Sequence, residues 1–183
     1  METFRFTPCT AADLETLRDL SVTTFREAFE AQNDPDDFRH YLETAFSQDR
    51  LREELAHPHM HFYFAWEGDR LAGYCKLNSG PAQTELQEPE GLEIERIYVP
   101  ASFQGQGVGA RMLNEIASLA RKGGKRYLWL GVWQQNPGAI RFYERHGFVI
   151  FGEHPYYIGS DRQMDWMMRR KLEVTDNSIN SKT

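Results

Sequence analysis

The stretch SFQGQGVGAR, Ser102–Arg111, most constrains what this chain can fold into, because Gly105, Gly107 and Gly109 alternate within it. Glycine loses more conformational freedom on folding than any other residue, and it adopts positive φ angles without a steric penalty. A stretch that alternates like a strand, LEIERIYV, precedes the loop, and apolar residues at helical spacing follow it. The pattern predicts a strand, a tight turn and a helix start, whose free N–H groups can bind an anion.

The spacing of these glycines differs from that of two nucleotide-binding loops. A P-loop requires G-x-x-x-x-G-K-[ST], and no Lys-Ser or Lys-Thr pair follows here. A Rossmann fingerprint requires G-x-G-x-x-G after a first βα unit, and the alternate glycines do not match it. An ordinary flexible connection between a strand and a helix remains the alternative explanation for a glycine cluster taken alone.

Length and composition are typical of one folded globular domain. The chain has 183 residues, of which 40% are apolar and 13% aromatic. We expect the domain to span residues 1–172 and the polar stretch 173–183 to form a disordered tail. A net charge of -6 argues against binding to a nucleic acid backbone and suits a small cationic substrate.

Cysteine usage and hydropathy favour a cytoplasmic protein without a membrane span. Cys9 and Cys75 do not form a C-x-x-C motif, which favours two reduced thiols. No apolar run approaches the roughly 18 residues of a transmembrane helix, and the first residues lack the apolar region of a signal peptide. The alternating histidines His57, His59 and His61 invite a metal site, but no cysteine or carboxylate cluster supports one, and we expect no metal.

The order of predicted elements indicates a mixed α/β fold, with hairpins early and a β-α-β-α-β order late. After a first strand, the stretch Thr10–Asp13 reads as a capping box that opens a helix. Asp34 and Pro35 open a second helix, which we expect to continue to about Ala56. A hairpin turns near Gly68, and a polar loop leads into the strand LEIERIYV.

The second half continues with a helix after the glycine loop, a buried strand RYLWLGVW, and a helix that Asn136 caps and Gly147 ends. Two short strands follow, near residues 148–153 and 163–172. The tryptophans Trp129, Trp133 and Trp166 are expected in the core. In the strand before the glycine loop, alternation predicts one face with Leu92, Ile94 and Tyr98, and an opposite face with Glu93, Glu95, Ile97 and Val99.

Two motifs carry a resemblance to a known family. The pattern Gln104-x-x-Gly107-x-Gly109, which follows a strand and opens a helix, resembles the acyl-CoA loop of the GNAT N-acetyltransferase superfamily. The stretch NPGAIRFYERHGF resembles the family's Asn-x-x-Ala-x-x-Phe-Tyr-x-x-x-Gly-Phe segment and begins at Asn136. The resemblance covers most of the chain, from the first strand to the DWMMRR stretch, and is closer to the PaiA-type spermidine/spermine acetyltransferases.

The resemblance implies a mixed, mostly antiparallel sheet flanked by helices, in which the strands LEIERIYV and RYLWLGVW splay apart to admit a thioester. It also implies acetyl-CoA as the cosubstrate, with its pyrophosphate at the glycine loop and its pantetheine arm beside the preceding strand. The residues that would bind acetyl-CoA are Ile97, Tyr98, Val99, Gln104, Gly105, Gln106, Gly107, Val108, Gly109, Ala110, Asn136 and Tyr143.

The implied reaction is the attack of a neutral amine on a thioester, which needs a proton acceptor and a proton donor. By resemblance Tyr143 is the candidate acid; a tyrosine on a helix can also be a core residue. Glu93 and Glu95 are the candidate bases, either directly or through water. The alternatives are two solvated carboxylates on a half-exposed strand, or a pair that attracts a cation without taking its proton.

The predicted acceptor is a primary amine, and by the finer resemblance a polyamine such as spermidine or spermine. Acidic residues before the second motif would attract a polycation if they formed one groove: Glu30, Asp34, Asp36, Asp37, Glu85, Glu88, Glu90, Glu93 and Glu95. Aminoglycosides, amino acids and protein N-termini remain alternative acceptors, and a non-catalytic acyl-CoA-binding module is the alternative from another class. We expect no nucleic acid or membrane partner; the family resemblance allows a homodimer.

Overall fold

The computed structural model describes residues 3–158 and 161–173 of the chain. Helices α1 to α5 span Leu14–Phe29, Pro35–Ala45, Gln48–Ala56, Val108–Lys122 and Pro137–Arg145. Strands β1 to β7 span Phe4–Pro8, Met60–Glu67, Arg70–Ser79, Gly91–Tyr98, Tyr127–Trp133, Val149–Ile158 and Asp161–Lys171.

All seven strands join one sheet in the order β1-β2-β3-β4-β5-β7-β6. Only β4 and β5 run parallel, because α4 connects them as a crossover, and the other neighbours are antiparallel. Helices cover both faces of this sheet. The predicted fold, a mixed and mostly antiparallel sheet flanked by helices, is therefore confirmed.

The two parallel strands separate soon after they begin to pair. Residues 91–93 of β4 pair with residues 127–129 of β5, and the last pair is Glu93 with Trp129. Beyond it, residues 94–98 and 130–133 have no register partner across this pair of strands. The separation opens a gap in the middle of the sheet, as the splayed strands of the prediction require. We call this opening the gap.

A β-bulge in β4 overturns part of the predicted alternation. Lys76 of β3 pairs with Arg96, whereas Leu77 pairs with Ile94, so Glu95 is the extra residue. A bulge shifts the side-chain alternation by one position. Ile97 therefore packs in the same core as Ile94. The predicted assignment of Ile94 and Tyr98 to one face is wrong for this reason.

The sheet separates two hydrophobic cores. On one face, α4 packs its apolar stripe, including Met112 and Ile116, against β3, β4 and β5, and the partly buried residues of α5 join this core. On the other face, helices α1 to α3 pack on β2 and β3 through residues such as Leu17, Phe25 and Phe64. We call these the α4 face and the α1–α3 face.

Several predicted helix boundaries are confirmed, and one helix is divided. The side chain of Asp34 accepts hydrogen bonds from the backbone N–H groups of Asp36 and Asp37, at 2.9 and 3.1 Å, and Pro35 begins α2. The predicted single helix to Ala56 is wrong. The chain leaves α2 after Ala45 and restarts at Gln48, because the Ser47 hydroxyl caps α3 by accepting from Arg50 N at 3.2 Å.

The two ends of the chain differ in detail from the predictions. The capping box at Thr10 and Asp13 is present, but it closes a single 3₁₀ turn before α1 begins at Leu14. Strands β6 and β7 have 10 and 11 residues and are longer than expected. Apart from Glu173, the predicted tail lies outside the described residues.

Candidate active site

The glycine loop presents backbone donors to open space at the start of α4. Gly105 and Gly107 have φ angles of 74° and 77°, and Gly107 is the N-cap of α4. Throughout the described part of the chain, no hydrogen bond engages the backbone N–H groups of residues 105–110. A Cβ at Gly105 or Gly107 would meet no atom within 4 Å. This combination of free donors, open space and a helix N-terminus suits an anion.

Arg111 fixes the carbonyl side of the same loop. Its guanidinium donates to the Gln106 carbonyl at 3.3 Å and to the Gly107 carbonyl at 3.5 Å. It also forms an ion pair with Glu67 and lies 4.8 Å from the centre of the Phe4 ring. Sequence reasoning assigned Arg111 no role, since nothing in the motif indicates that its side chain turns back onto the loop.

The side chain of Gln104 anchors the loop to the end of β4. Its Nε2 atom donates to the carbonyl of Val99 at 3.0 Å. One amide hydrogen and the Oε1 atom of Gln104 have no partner among residues 3–158 and 161–173. The predicted contact with a phosphate stays a prediction, and Gln104 has a structural task besides it.

Helix α5 lies next to the start of α4. Asn136 caps α5 by accepting from Ala139 N at 3.1 Å, which confirms the predicted cap. A Cβ at Gly109 would come within 3.2 Å of the Phe142 ring, so the absence of a side chain lets the two helices approach. The binding of a cofactor by Asn136 stays a prediction.

Tyr143 of α5 lies close to Tyr98 at the end of β4. Its ring packs against Phe142 and Phe148 with centroid distances of 5.3 and 5.6 Å. Burial raises the pKa of Tyr143, and burial together with the tyrosines around it raises the pKa of Tyr98. Within the described ranges the Tyr143 hydroxyl makes no hydrogen bond. Tyr143 is thus a protonated phenol with an unused donor.

The two candidate bases converge on one amide. Asn78 of β3, which is fully buried, donates its Nδ2 group to Glu93 at 3.0 Å and to Glu95 at 2.5 Å. The carboxylates therefore share one side of β4, as predicted, although the bulge lies at Glu95. Their surroundings differ, and they shift the pKa values of the two carboxyl groups in opposite directions.

Glu95 is held by two cations. Lys76 Nζ lies 2.7 Å from Glu95 Oε2 and 2.9 Å from Oε1 of the buried Glu54, and the Arg96 guanidinium lies 3.5 Å from Glu95 Oε1. Burial acts to raise the pKa of Glu95, but Arg96 and Lys76 outweigh it, so the pKa is lowered. Glu95 therefore stays ionised at neutral pH.

Among the residues that the structure describes, only uncharged donors bind Glu93. It is 3% exposed and accepts from the Thr84 N–H at 2.9 Å and from the Thr84 hydroxyl at 2.5 Å, besides Asn78. Burial raises its pKa, which Thr84 and Asn78 only partly oppose. Of the two glutamates, Glu93 is the one whose protonation lies closer to neutral pH. It also lies at the last pair before β4 and β5 separate.

Aromatic rings line the gap on the α1–α3 face. The ring of Phe29, at the end of α1, lies 6.4 Å from Tyr98 of β4 and 6.5 Å from Trp133 of β5. Phe29 thus spans the separated strands. Trp129 is fully buried, as predicted, but Trp133 is half-buried at the gap, which corrects its assignment to the core.

A carboxylate and an imidazole lie close to β5 at Gly131, beyond the residues of β5 that pair with β4. A Cβ at Gly131 would lie 3.0 Å from His154 Nε2 and 3.2 Å from Asp165 Oδ2, so this glycine makes room for both. Burial raises the pKa of Asp165 to about 6, against the opposing effect of His154. Asp165 pairs with Trp133 across β5 and β7. Sequence reasoning missed it, because strand register was needed to bring it here.

Most of the acidic residues proposed to attract a polycation already have partners within the protein. Asp34 caps a helix, Asp36 pairs with Arg39 at 2.7 Å, and Glu90 pairs with Arg126 at 3.2 Å. The hydroxyl of Tyr127 donates to Glu88. The structural roles of these carboxylates therefore need no polycation.

Searches for a metal site and a membrane span give negative results for the residues that the structure describes. Among residues 3–158 and 161–173, no group of three or more His, Cys, Asp or Glu side chains is placed to hold a metal ion. The rings of His57 and His59 lie 6.0 Å apart. No helix in the same ranges has the length and apolarity that crossing a membrane requires.

Comparisons with known proteins identify the family. The model of the acetyltransferase (GNAT) family matches residues 14–148. An uncharacterized N-acetyltransferase of Lactobacillus delbrueckii subsp. lactis is 39% identical over 160 residues, which cover 87% of this chain and 92% of that protein. The chain therefore belongs to the GNAT acetyltransferase family and is an N-acetyltransferase.

Two further relatives and one solved structure complete the comparison. The N-alpha-acetyltransferase RimI of Mycobacterium tuberculosis is 32% identical over 120 residues, 66% of this chain and 72% of its own length. A probable spermine N(1)-acetyltransferase of Bacillus subtilis subsp. natto is 32% identical over 89 residues, 48% of this chain and 58% of its own. A crystal structure of PaiA N-acetyltransferase from Thermoplasma acidophilum with coenzyme A has a TM-score of 0.74 at 18% identity and covers 92% of this chain and 99% of its own, a likeness of fold.

Proposed function

We propose that this N-acetyltransferase moves the acetyl group of acetyl-CoA to a primary amine. The observation that carries the proposal is the row of free backbone N–H groups at residues 105–110, next to the gap. Acetyl-CoA is anionic at its pyrophosphate and supplies an activated acetyl group on a thioester. The donors of the loop suit the phosphates, and the unpaired edge of β4 suits the extended arm.

Three groups of residues would hold acetyl-CoA. Residues 105–110 would donate backbone hydrogen bonds to the phosphates, each worth about 1.5–3 kcal/mol when one partner is charged. Ile97, Tyr98 and Val99 would border the arm along β4. Arg111 would act indirectly, because its bonds to the carbonyls of Gln106 and Gly107 keep the opposite N–H groups directed outward.

Tyr143 is the proposed proton donor for the thiolate that leaves. Its hydroxyl has no partner within the described chain, and burial raises its pKa, so the phenol is fully protonated at neutral pH. The proton would move to the sulfur as the carbon–sulfur bond breaks and negative charge develops on the thiolate. A positioned acid of this kind contributes about 10²–10⁴-fold to a rate.

Glu93 is the proposed proton acceptor, either directly or through water. Its uncharged partners and raised pKa support this role, whereas Lys76 and Arg96 hold Glu95 as a fixed anion. Asp165 is the second candidate, because burial raises its pKa to about 6 and its register partner Trp133 lines the gap. Comparison of Glu93→Gln with Asp165→Asn assigns the acid limb of the pH–rate profile to one of them.

The finer proposal for the acceptor is a polyamine such as spermidine or spermine. The similarity to a probable spermine N(1)-acetyltransferase supports it, and the aromatic lining of the gap suits an aliphatic amine. The similarity to RimI favours a protein N-terminus as the second candidate. A single domain over residues 1–172, a cytoplasmic location and a homodimer also stay proposals; the edge strand β6 exposes Val149 and Tyr157 at 65% and 56%.

The proposal is tested by measuring release of free thiol from acetyl-CoA in the presence of spermidine, spermine, lysine, an aminoglycoside and a short peptide. Release that depends on an amine is expected. Preference for spermidine and spermine would support the finer proposal, and preference for the peptide would replace it with the second candidate. Binding of acetyl-CoA without release for any amine would favour a non-catalytic acyl-CoA-binding module.

A further inference from the structure

The end of the β6–β7 hairpin reaches across to the helices of the α1–α3 face. Ile158, the last residue of β6, is 1% exposed and belongs to the core that contains Leu17 and Phe25 of α1. In the sheet, β7 and β5 separate β6 from β4. Residues 155–158 of β6 pair with residues 161–164 of β7, beyond Trp133 at the end of β5, so the hairpin reaches this core past the end of β5.

Two polar contacts between distant parts of the sequence fix the hairpin to α2 and to the segment before it. The hydroxyls of Tyr41 and Tyr156 share a hydrogen bond. Gln163 Nε2 donates to Asn33 Oδ1 at 3.0 Å, and Asn33 Nδ2 donates to the Phe29 carbonyl at 2.7 Å. We call Asn33, Tyr41, Tyr156 and Gln163 the acceptor roof.

The acceptor roof lies beside the rings that line the gap. Asn33 is bonded to the backbone of Phe29, whose ring contacts both Tyr98 and Trp133. On the hairpin, the Met164 carbonyl accepts from Gln134 N at 3.0 Å, which holds the residue after Gln163 next to the end of β5. The α1–α3 side of the gap is therefore covered by the segment after α1 and by the β6–β7 hairpin.

We propose that the acceptor roof restricts the acceptor to slender primary amines whose nitrogen is on an unbranched CH₂ carbon. This inference rests on the proposed acetyl transfer to an amine and narrows it. An alkyl chain can lie against Phe29, Tyr98 and Trp133, and each methylene that leaves water there stabilises the bound amine. On this proposal, a branch beside the nitrogen, as at every peptide N-terminus beyond glycine, would meet Tyr156 or Gln163.

The first test compares two isomeric amines of similar basicity and hydrophobicity, n-hexylamine and 2-aminohexane. Thiol release by the full chain at saturating acetyl-CoA gives kcat/KM for each, and a lysine-free tetrapeptide that begins with alanine is added as a third acceptor. We expect n-hexylamine to exceed both branched acceptors by at least about tenfold, the usual range for one carbon in a tight pocket. Equal efficiency for the linear and branched amines would overturn the inference.

The second test opens the acceptor roof. The double variant Tyr156→Phe, Gln163→Leu loses both links to the helices, and the ratio of kcat/KM for linear over branched amines should fall by at least about fivefold, within the scale of steric discrimination in pockets. Tyr157→Phe is the matched control, because this tyrosine on the same strand is 56% exposed, and it should keep the wild-type ratio.

The outcomes of these tests are distinct. A folded double variant, by circular dichroism, that retains the wild-type ratio would overturn the inference while acetyl transfer stands. If the double variant fails to fold, the single variant Tyr41→Phe replaces it; a smaller fall is expected because the Gln163–Asn33 link remains, and a wild-type ratio would again overturn the inference. Absence of thiol release with every amine would overturn the proposed acetyl transfer itself, and the inference with it.

Discussion

The side of the gap proposed for acetyl-CoA, the donor side, and the side proposed for the amine, the acceptor side, are built in different ways. The donor side consists of neighbouring residues, 104–110, and it offers mainly backbone groups. The acceptor side depends on side chains far apart in sequence: Tyr41 and Tyr156 are 115 positions apart, and Asn33 and Gln163 are 130 apart. A backbone cradle tolerates varied side chains, whereas the acceptor side depends on the identity of each side chain. Substitutions on the two sides should therefore change different kinetic quantities.

The largest expected effect is on turnover. Tyr143→Phe removes the proposed acid and keeps the ring that packs on Phe142 and Phe148. We expect kcat to fall by about 100-fold, while KM for acetyl-CoA and the preference among amines stay as in the wild type. Steady-state thiol release measures all three, with Tyr157→Phe as control. Unchanged kcat would remove Tyr143 from the mechanism.

Glu93→Gln tests whether the buried glutamate carries the chemistry. Gln keeps the shape and the hydrogen bonds if the Thr84 hydroxyl turns to accept, so the fold should persist. A carboxyl group accepts a proton only when it is ionised, and burial raises the pKa of Glu93. As the pH is lowered, wild-type activity should therefore begin to fall at a higher pH than the ordinary pKa of a glutamate would give. The variant should lose about 100-fold in kcat and also lose that limb. If the limb persists, the acceptor is another group, and Asp165→Asn is then the decisive variant.

Glu95→Gln should instead lower stability. It removes one of two carboxylates that hold the buried Lys76, and we expect the free energy of unfolding to fall by about 2–3 kcal/mol, less than for a buried charge left without any partner. Because the pKa of Glu95 is lowered in the folded chain, its stabilisation is complete above the unfolded-state pKa and is lost as pH falls through the lowered value. Urea unfolding at several pH values measures both effects. Wild-type stability in the variant, at pH 7, would contradict this account.

The smallest expected effect is on KM for acetyl-CoA, and a second glycine with a similar φ angle provides a closely matched control. Gly107→Ala and Gly124→Ala each place a Cβ at a positive φ, 77° and 69°, where it meets no atom within 4 Å. Both should lose about 1–2 kcal/mol of stability through backbone strain. Only Gly107→Ala should raise KM for acetyl-CoA, by about tenfold if one charge-assisted hydrogen bond is weakened. Equal KM values in the two variants would mean that the loop does not bind the cofactor.

Locally determined features could be predicted from the sequence, because nearby residues decide them. The caps at Asp34 and Asn136 need only a short polar side chain before a proline. The tight turn before a helix needs residues that adopt positive φ angles, which Gly105 and Gly107 supply. The gap between β4 and β5 was predicted from the family resemblance, because no local pattern indicates it.

Tertiary structure alone decided the rest. The bulge at Glu95 depends on pairing with β3, and it changed which side chains of β4 share a core. The partners of Glu93 and Glu95 differ because Lys76 and Thr84 come from other parts of the chain. Charge and burial set a carboxyl pKa, and neither can be read from the position of a glutamate in a strand. The sequence by itself determined the glycine loop and the fold class, whereas packing decided which glutamate is held by cations, which is held by uncharged donors, and how the hairpin meets the helices.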